Sequence, residues 1–289
     1  MPTRKILFVL NPSSGTRDDD FEKEIRIHFS DKSGFDLDFF VPNWDGDACK
    51  DLKEKLQRND YETVVASGGD GTVTYVCEQI YGLNIKLGIL PTGSANGLAK
   101  NLNIPADLNE ALSLIETGNS HPMSSLTING KFSVHLADVG VNAAIIKQFE
   151  SQNKRGFWGY FSAFNNVIFK QKKVKANIIT DIENFQKEIY MLVFSNGTAY
   201  GTGLIINPEG RLDDDVFEIV MLKSLSFING LKLYLGKSKP AEKYMEIHSC
   251  KNVTAEFSRK VHLQIDGEYL GLTQKVEAVF NDKFIEVIN

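Results

Sequence analysis

Three stretches set glycine and small polar residues directly after apolar runs: "NPSSG" at 11–15, "SGGDGT" at 67–72 and "LPTGSAN" at 90–96. Without a Cβ, glycine lets backbone N–H groups come close to an anion. A helix starting at the same point adds the positive end of its dipole. The chemistry this suits is the holding of phosphate, although each stretch taken singly also reads as a tight turn. Neither GxxxxGKS nor GxGxxG is present. Carboxylates concentrate at two other places. "RLDDD" at 211–215 puts three side by side, either a solvated charge run or a place for a cation. "IDGEY" at 265–269 spaces Asp266 and Glu268 around a glycine, which on residue types alone is a hairpin turn between "VHLQI" and "YLGLT".

The elements that position these residues follow from apolar spacing. "KILFVL", "FDLDFFV", "ETVVAS" and "IKLGIL" read as strands of a parallel, doubly buried sheet. Between them, Phe21, Ile25 and Phe29, then Ala48, Leu52 and Leu56, then Val73, Val76, Cys77 and Ile80 each mark one helical face. "SANGLAKNL" and "LNEALSLIE" read as two further helices. This order predicts a doubly wound α/β domain over 1–120, in which ligands bind beyond the carboxyl ends of the strands. From 121 to 289 the pattern changes to short, often alternating segments with turn residues between them, such as "KFSVHLADVG", "KEIYMLVFSNG" and "VHLQIDGEYLG". They predict an antiparallel, sandwich-like β domain, with "NG" at 129–130 as a hairpin turn and a final strand that can pack back toward the first domain.

Composition narrows the function. The 289 residues are 42% hydrophobic and 24% charged, as in a soluble globular protein, and the net charge of −5 with no basic tail argues against nucleic acid as a partner. No apolar run reaches the roughly 18–20 residues that span a bilayer, and "MPTRKILFVLNPSSG" reads as a first strand rather than a signal peptide. Cys49, Cys77 and Cys250 form neither a CxxC pair nor a disulfide framework, which points to a reducing, cytoplasmic setting with Cys77 in a core.

In order and spacing, "NPSSG", "GGDGT" and "LPTGSAN" resemble the diacylglycerol kinase catalytic domain shared with sphingosine and ceramide kinases, the small bacterial lipid kinases above all. "LADVGVNAAI", "SNGTAYGTGLIINPEGRLDDDVFEI" and "LQIDGEYL" extend the resemblance over nearly the whole chain. It implies an ATP-dependent kinase acting on a lipid hydroxyl, with ATP and Mg2+ held in a cleft between the two domains. Asn11, Ser13 and Ser14, then Gly68, Gly69, Asp70, Gly71 and Thr72, then Thr92, Gly93, Ser94 and Asn96 would line the nucleotide. Asp70 would stand near the phosphates or their metal, the plain alternative for it being the N-cap of the next helix. The resemblance assigns Asp266 as general base with Glu268 beside it, and Asp213 and Asp214 as ligands of a second, structural Mg2+.

The chain departs from the bacterial diacylglycerol kinase pattern at Gly97, Lys100 and Asp215, where that pattern has an acid, an arginine and a glycine. "GSANGLA" leans toward the sphingosine kinase style of the loop. Two other functions share features with this chain. "GGDGT" and "GTAYGTG" echo NAD kinases, and a non-catalytic nucleotide- or lipid-binding relative is the third reading. The expected partner is a lipid at the inner face of a membrane, which the protein would touch peripherally. For that contact, residues 153–173 are predicted to form an amphipathic helix. Phe157, Tyr160, Phe161, Phe164, Val167 and Ile168 would make its apolar stripe, flanked by Lys154, Arg155, Lys170, Lys172 and Lys173. Which lipid is phosphorylated, and whether the protein is a homodimer, the sequence leaves open.

Overall fold

The computed structural model describes residues 3–12, 21–44, 48–150, 172–200, 205–224 and 244–289. They fall into two units, Met1–Met123 with Lys283–Asn289, and Ser124–Asp282. The first unit alternates β1 (Arg4–Leu10), α1 (Phe21–Phe29), β2 (Phe35–Phe40), α2 (Ala48–Gln57), β3 (Thr63–Gly68), α3 (Asp70–Ile80) and β4 (Lys86–Pro91). It continues with α4 (Gly97–Asn101), α5 (Leu108–Thr117) and β5 (Ser120–Met123). β3 is buried at all six positions, as a central parallel strand must be. Ile6, Phe8, Val65 and Leu90 of the sheet pack against Ile25 and Phe29 of α1 and Ala111, Leu112 and Ile115 of α5. Leu7 and Val9 alternate to the opposite face and are equally buried, so both faces of the sheet are covered. α3 buries the stripe its spacing predicts, Val73, Val76, Cys77 and Ile80.

The second unit contains β6 (Leu126–Ile128), β7 (Lys131–Ser133), β8 (Leu136–Gly140), α6 (Val141–Glu150), β9 (Val174–Thr180), β10 (Asn184–Ile189) and β11 (Met191–Ser195). β12 (Phe217–Leu222), β13 (Met245–Cys250), β14 (Asn252–Ile265) and β15 (Glu268–Phe280) complete it. Its strands run in the order β13-β12-β11-β8-β14-β15-β6-β7, with β9 and β10 joined to the sheet through β14. Every ladder is antiparallel. Phe194, Phe217, Ile219, Leu263, Ile265 and Val276 centre the core. Asn129 and Gly130, with φ of 48° and 79°, make the tight turn between β6 and β7.

The predicted boundary moves. The first unit runs on to Met123, and residues 283–289, placed by sequence in the second domain, belong to it. Their strand β16 (Ile285–Ile288) lies between β4 and β5, parallel to one and antiparallel to the other, giving the order β2-β1-β3-β4-β16-β5. No helix among the described residues is long and apolar enough to cross a membrane. The amphipathic helix predicted for 153–173 falls almost wholly outside the described residues, as do Ser13 and Ser14.

Candidate active site

β1, β3 and β4 are neighbouring parallel strands, so the three glycine-rich stretches emerge at one edge of the first sheet. Backbone bonds stitch them together: Asn11 N–H donates to the Ser67 carbonyl at 3.0 Å and Thr92 N–H to that of Gly68 at 3.2 Å. Asn11 Nδ2 donates to Thr72 Oγ1 at 2.9 Å. The glycines serve different ends. A Cβ on Gly93 would lie 2.4 Å from the Cα of Gly69, because the second and third stretches touch backbone to backbone. A Cβ on Gly68 would strike Thr72 Oγ1 at 2.3 Å, whereas one on Gly71 would meet nothing within 4 Å. Only Gly71 therefore leaves open space at the start of α3. That helix has Gly69 as N-cap and no side-chain cap bond; the Gly69 carbonyl takes the amides of Thr72 and Val73 at 2.9 and 3.1 Å, and those of Asp70 and Gly71 have no acceptor among the described residues. Nearby, Asn96 adopts a left-handed conformation (φ 50°) while its Nδ2 holds the carbonyls of Pro91 and Gly93 at 3.0 and 2.7 Å. Its buried Oδ1 has no hydrogen-bond partner among the described residues. Ser94 is exposed. An open glycine, an uncapped helix start and an orphaned acceptor fit a nucleotide's phosphates and hydroxyls.

Asp70 does not cap its own helix, whose N-cap is Gly69. Its Oδ2 and Oδ1 accept the backbone N–H groups of Gly97 at 2.9 Å and Leu98 at 3.0 Å, so it caps α4, the helix after the third stretch. The reason is local to α4: its N-cap Asn96 makes no side-chain cap bond, and the first amides of the helix need an acceptor. Asp70 thus ties the second and third stretches together.

In the second unit, Asp266 and Gly267, with φ of 47° and 89°, form the two-residue turn that joins β14 to β15. The turn is real, and it is also where the acids sit. Asp266 Oδ1 accepts from Ser133 Oγ (2.8 Å), His135 N (3.2 Å) and Leu136 N (3.1 Å), and Oδ2 from Val134 N (3.1 Å). The carboxylate assigned as general base is thus engaged by four donors from the segment between β7 and β8. Buried Asn196 braces the same segment, its Nδ2 donating to the carbonyls of Ser124 (2.9 Å) and Val134 (3.3 Å). Glu268 is exposed, and no hydrogen bond or ion pair joins its side chain to another described residue. Of the two acids, Glu268 is the one with free lone pairs.

Behind the turn lies a buried carboxylate that residue patterns did not single out. Asp138 of β8 is fully inaccessible and accepts from Asn142 Nδ2 (2.6 Å), Ala143 N (3.0 Å), Tyr200 Oη (3.0 Å) and Gln264 Nε2 (2.5 Å). Burial pushes its carboxyl up to about 6, against the pull of those donors. Stability from this raised value is fully present below the unfolded pKa near 4 and is lost as pH rises through about 6. At neutral pH the group therefore costs stability, which is a mark of functional positions.

The acids at 213–215 are not assembled as metal ligands. Arg211 holds Asp213 through two bonds of 2.9 and 3.0 Å, and Lys251 holds Asp215 at 2.5 Å. Asp214 alone keeps a buried oxygen without a partner, and burial raises its carboxyl, with its acidic neighbours adding to the shift. Among the described residues no group of three or more His, Cys, Asp or Glu could hold a metal ion. The structural Mg2+ expected at Asp213 and Asp214 does not fit this donor set. EDTA should accordingly leave the melting temperature within about 1 °C of its starting value, well under 1 kcal/mol for a chain of this size. A drop of several degrees, the response of a metal-stabilised fold, would reinstate that site.

Comparison with known proteins gives these features a family. Residues 5–128 match the model of the diacylglycerol kinase catalytic domain, and residues 136–287 that of the YegS C-terminal NAD kinase beta sandwich-like domain. Proteins named diacylglycerol kinase are similar along most of their length. That of Bacillus subtilis is 24% identical over 93% of this chain and 91% of its own, and that of Staphylococcus saprophyticus 26% over 83% and 81%. A Bacillus anthracis structure described as a diacylglycerol kinase shares the fold with a TM-score of 0.74 at 21% identity, over 99% of this chain and 96% of its own. An Archaeoglobus fulgidus NAD kinase solved with ATP shares it more distantly, with a TM-score of 0.56 at 10% identity over 99% and 94%. With both of its halves matched, the chain belongs to the lipid kinase family that joins a diacylglycerol kinase catalytic domain to a YegS-type β-sandwich-like domain.

Proposed function

We propose that the protein is an ATP-dependent lipid kinase that transfers the γ-phosphate to a hydroxyl of diacylglycerol or a related lipid. The observation that carries this reading is the open glycine corner at the start of α3 in a chain of a kinase family. In this reading the first-turn amides of α3 beside Gly71 hold phosphate oxygens. Asn11, Thr72, Thr92, Gly93 and Asn96 keep the corner in shape, and the hydroxyls of Ser13, Ser14 and Ser94 add donors. The lipid oxygen forms a bond to the γ-phosphorus, the bridging P–O bond to ADP breaks, and Glu268 takes the hydroxyl proton. Asp266 holds the turn. The acceptor lies at a bilayer surface, where the aromatic and basic residues of 153–173 suit contact with anionic headgroups.

The test is transfer of radiolabelled γ-phosphate from ATP to a panel of diacylglycerol, monoacylglycerol, a sphingoid base, phosphatidylglycerol and an isoprenoid alcohol, with NAD as a further acceptor. Label in a lipid is the expected result. Label in NAD alone, or in none of them, would overturn the reading. The corner has its own test. Because a Cβ at position 71 meets no atom of the described residues within 4 Å, Gly71→Val should leave the melting temperature unchanged while weakening ATP binding at least about tenfold, the loss of a close backbone approach. Titration calorimetry giving equal ATP affinities would remove the phosphate from this corner.

A further inference from the structure

Gln264 precedes the acidic turn by two residues, is fully buried and makes two hydrogen bonds of opposite sense. Its Nε2 donates to Asp138 Oδ2 at 2.5 Å, and its Oε1 accepts the N–H of Gly267 at 2.8 Å. An ionised carboxylate only accepts hydrogen bonds, so it dictates which end of the Gln264 amide faces it. The other end is then an oxygen, presented to the turn. We propose that Asp138 is a positioning residue for the Asp266–Gly267–Glu268 turn, acting through the side-chain amide of Gln264. The inference rests on the reading of that turn as the carrier of the proton acceptor.

The four donors around Asp138 match the acceptor capacity of an ionised carboxylate. Protonation removes one acceptor site, so one donor must be released or turned away. Gln264 is the one whose release is felt at the turn, since its amide alone links the carboxylate to the Gly267 N–H. The groups that face Asp138 are Asn142 and Ala143 of α6, Gln264 of β14, its ladder partner Val193 of β11, and Tyr200. Of these only Tyr200 carries an ionisable group, a phenol. Lowering the pH through the value that burial gives Asp138, about 6, should therefore loosen the turn from behind, without any change in Glu268 itself.

The experiment uses the full chain labelled with uniformly 13C aspartate and 15N glycine. The sequence contains three Asp–Gly pairs, ending at Gly46, Gly71 and Gly267, and Asp45→Asn and Asp70→Asn identify the first two signals by removing them. In the wild type the Gly267 amide should shift with the same midpoint as the Asp138 carboxyl carbon. In Gln264→Met, Asp138 should still titrate while Gly267 stays flat. A Gly267 signal that ignores the Asp138 titration in the wild type, or follows it equally in Gln264→Met, overturns the proposal. A kinetic arm separates positioning from mere packing: Gln264→Met should lower kcat at least about tenfold with KM for ATP unchanged, and an unchanged kcat also overturns it. Failure of the kinase reading would show differently, as a wild type that labels no lipid while its Gly267 amide still follows Asp138.

Discussion

A Glu268→Gln protein is expected to melt with the wild type and to transfer phosphate at least about a hundredfold more slowly, the scale on which a positioned general base contributes. The substitution keeps the size of the side chain and removes its ability to take a proton. Nothing in the fold should notice, because the Glu268 side chain is exposed and bonded to no other described residue. Affinity for ATP should also hold, since the glycine corner belongs to the first unit and Glu268 to the second. Single-turnover transfer to diacylglycerol, measured beside the melting temperature, decides it. A variant that turns over at the wild-type rate would show that the proton leaves by another route.

Asp266→Ala is expected to fail in the opposite way, through stability. Removing the carboxylate strands the amides of Val134, His135 and Leu136 and the hydroxyl of Ser133. With about 1–3 kcal/mol for each polar group left unsatisfied, and water free to reach some of them, the loss should be on the order of 3 kcal/mol. Alanine is also less at ease than aspartate at the φ of 47° that the turn requires. Asp266→Asn, which keeps one acceptor oxygen and tolerates that conformation, should fall between alanine and wild type. The measurement is the midpoint of denaturant unfolding for all three proteins. An unmoved midpoint in Asp266→Ala would show that the four hydrogen bonds do not hold the segment, and would return Asp266 to consideration as the base.

Much of this molecule is legible in short-range spacing. The faces marked by Phe21, Ile25 and Phe29, or by Val73, Val76, Cys77 and Ile80, are the faces α1 and α3 bury or turn inward. The Asn129–Gly130 turn forms as its residue types demand. These features depend on neighbours a few residues apart, where periodicity and turn chemistry decide. The residues read differently are those whose partners are distant in sequence. Asp70 caps a helix 27 residues on instead of its own. The donors around Asp266 come from 130 to 133 residues earlier, and no local pattern announces that they converge on it. Asp138 is one acid in an apolar strand, and only the pairing of β8 with β14 shows that Gln264 is its partner. Family resemblance located the acidic turn, but the hydrogen bonds that engage Asp266 are ones that motifs do not encode.

The seating of β16 between β4 and β5 has a consequence for the order in which the chain assembles. In connectivity, β5 and β16 are the two arms of a β-hairpin whose loop is the whole second unit, since Met123 pairs with Ile285 and the chain between them runs from Ser124 to Asp282. Closing a disordered loop of that length costs on the order of 4–5 kcal/mol in chain entropy, more than a four-residue strand recovers easily. Folding of the second unit ahead of this pairing would remove the obstacle. Its own ladder pairs Leu126 with Phe280, and Asn281 N–H donates to the Ser125 carbonyl at 3.0 Å, so its two ends are already side by side. In that order β16 is the last strand to dock. Until it does, β4 and β5 expose unpaired edges, so the competition between productive refolding and aggregation is decided by how fast the second unit folds.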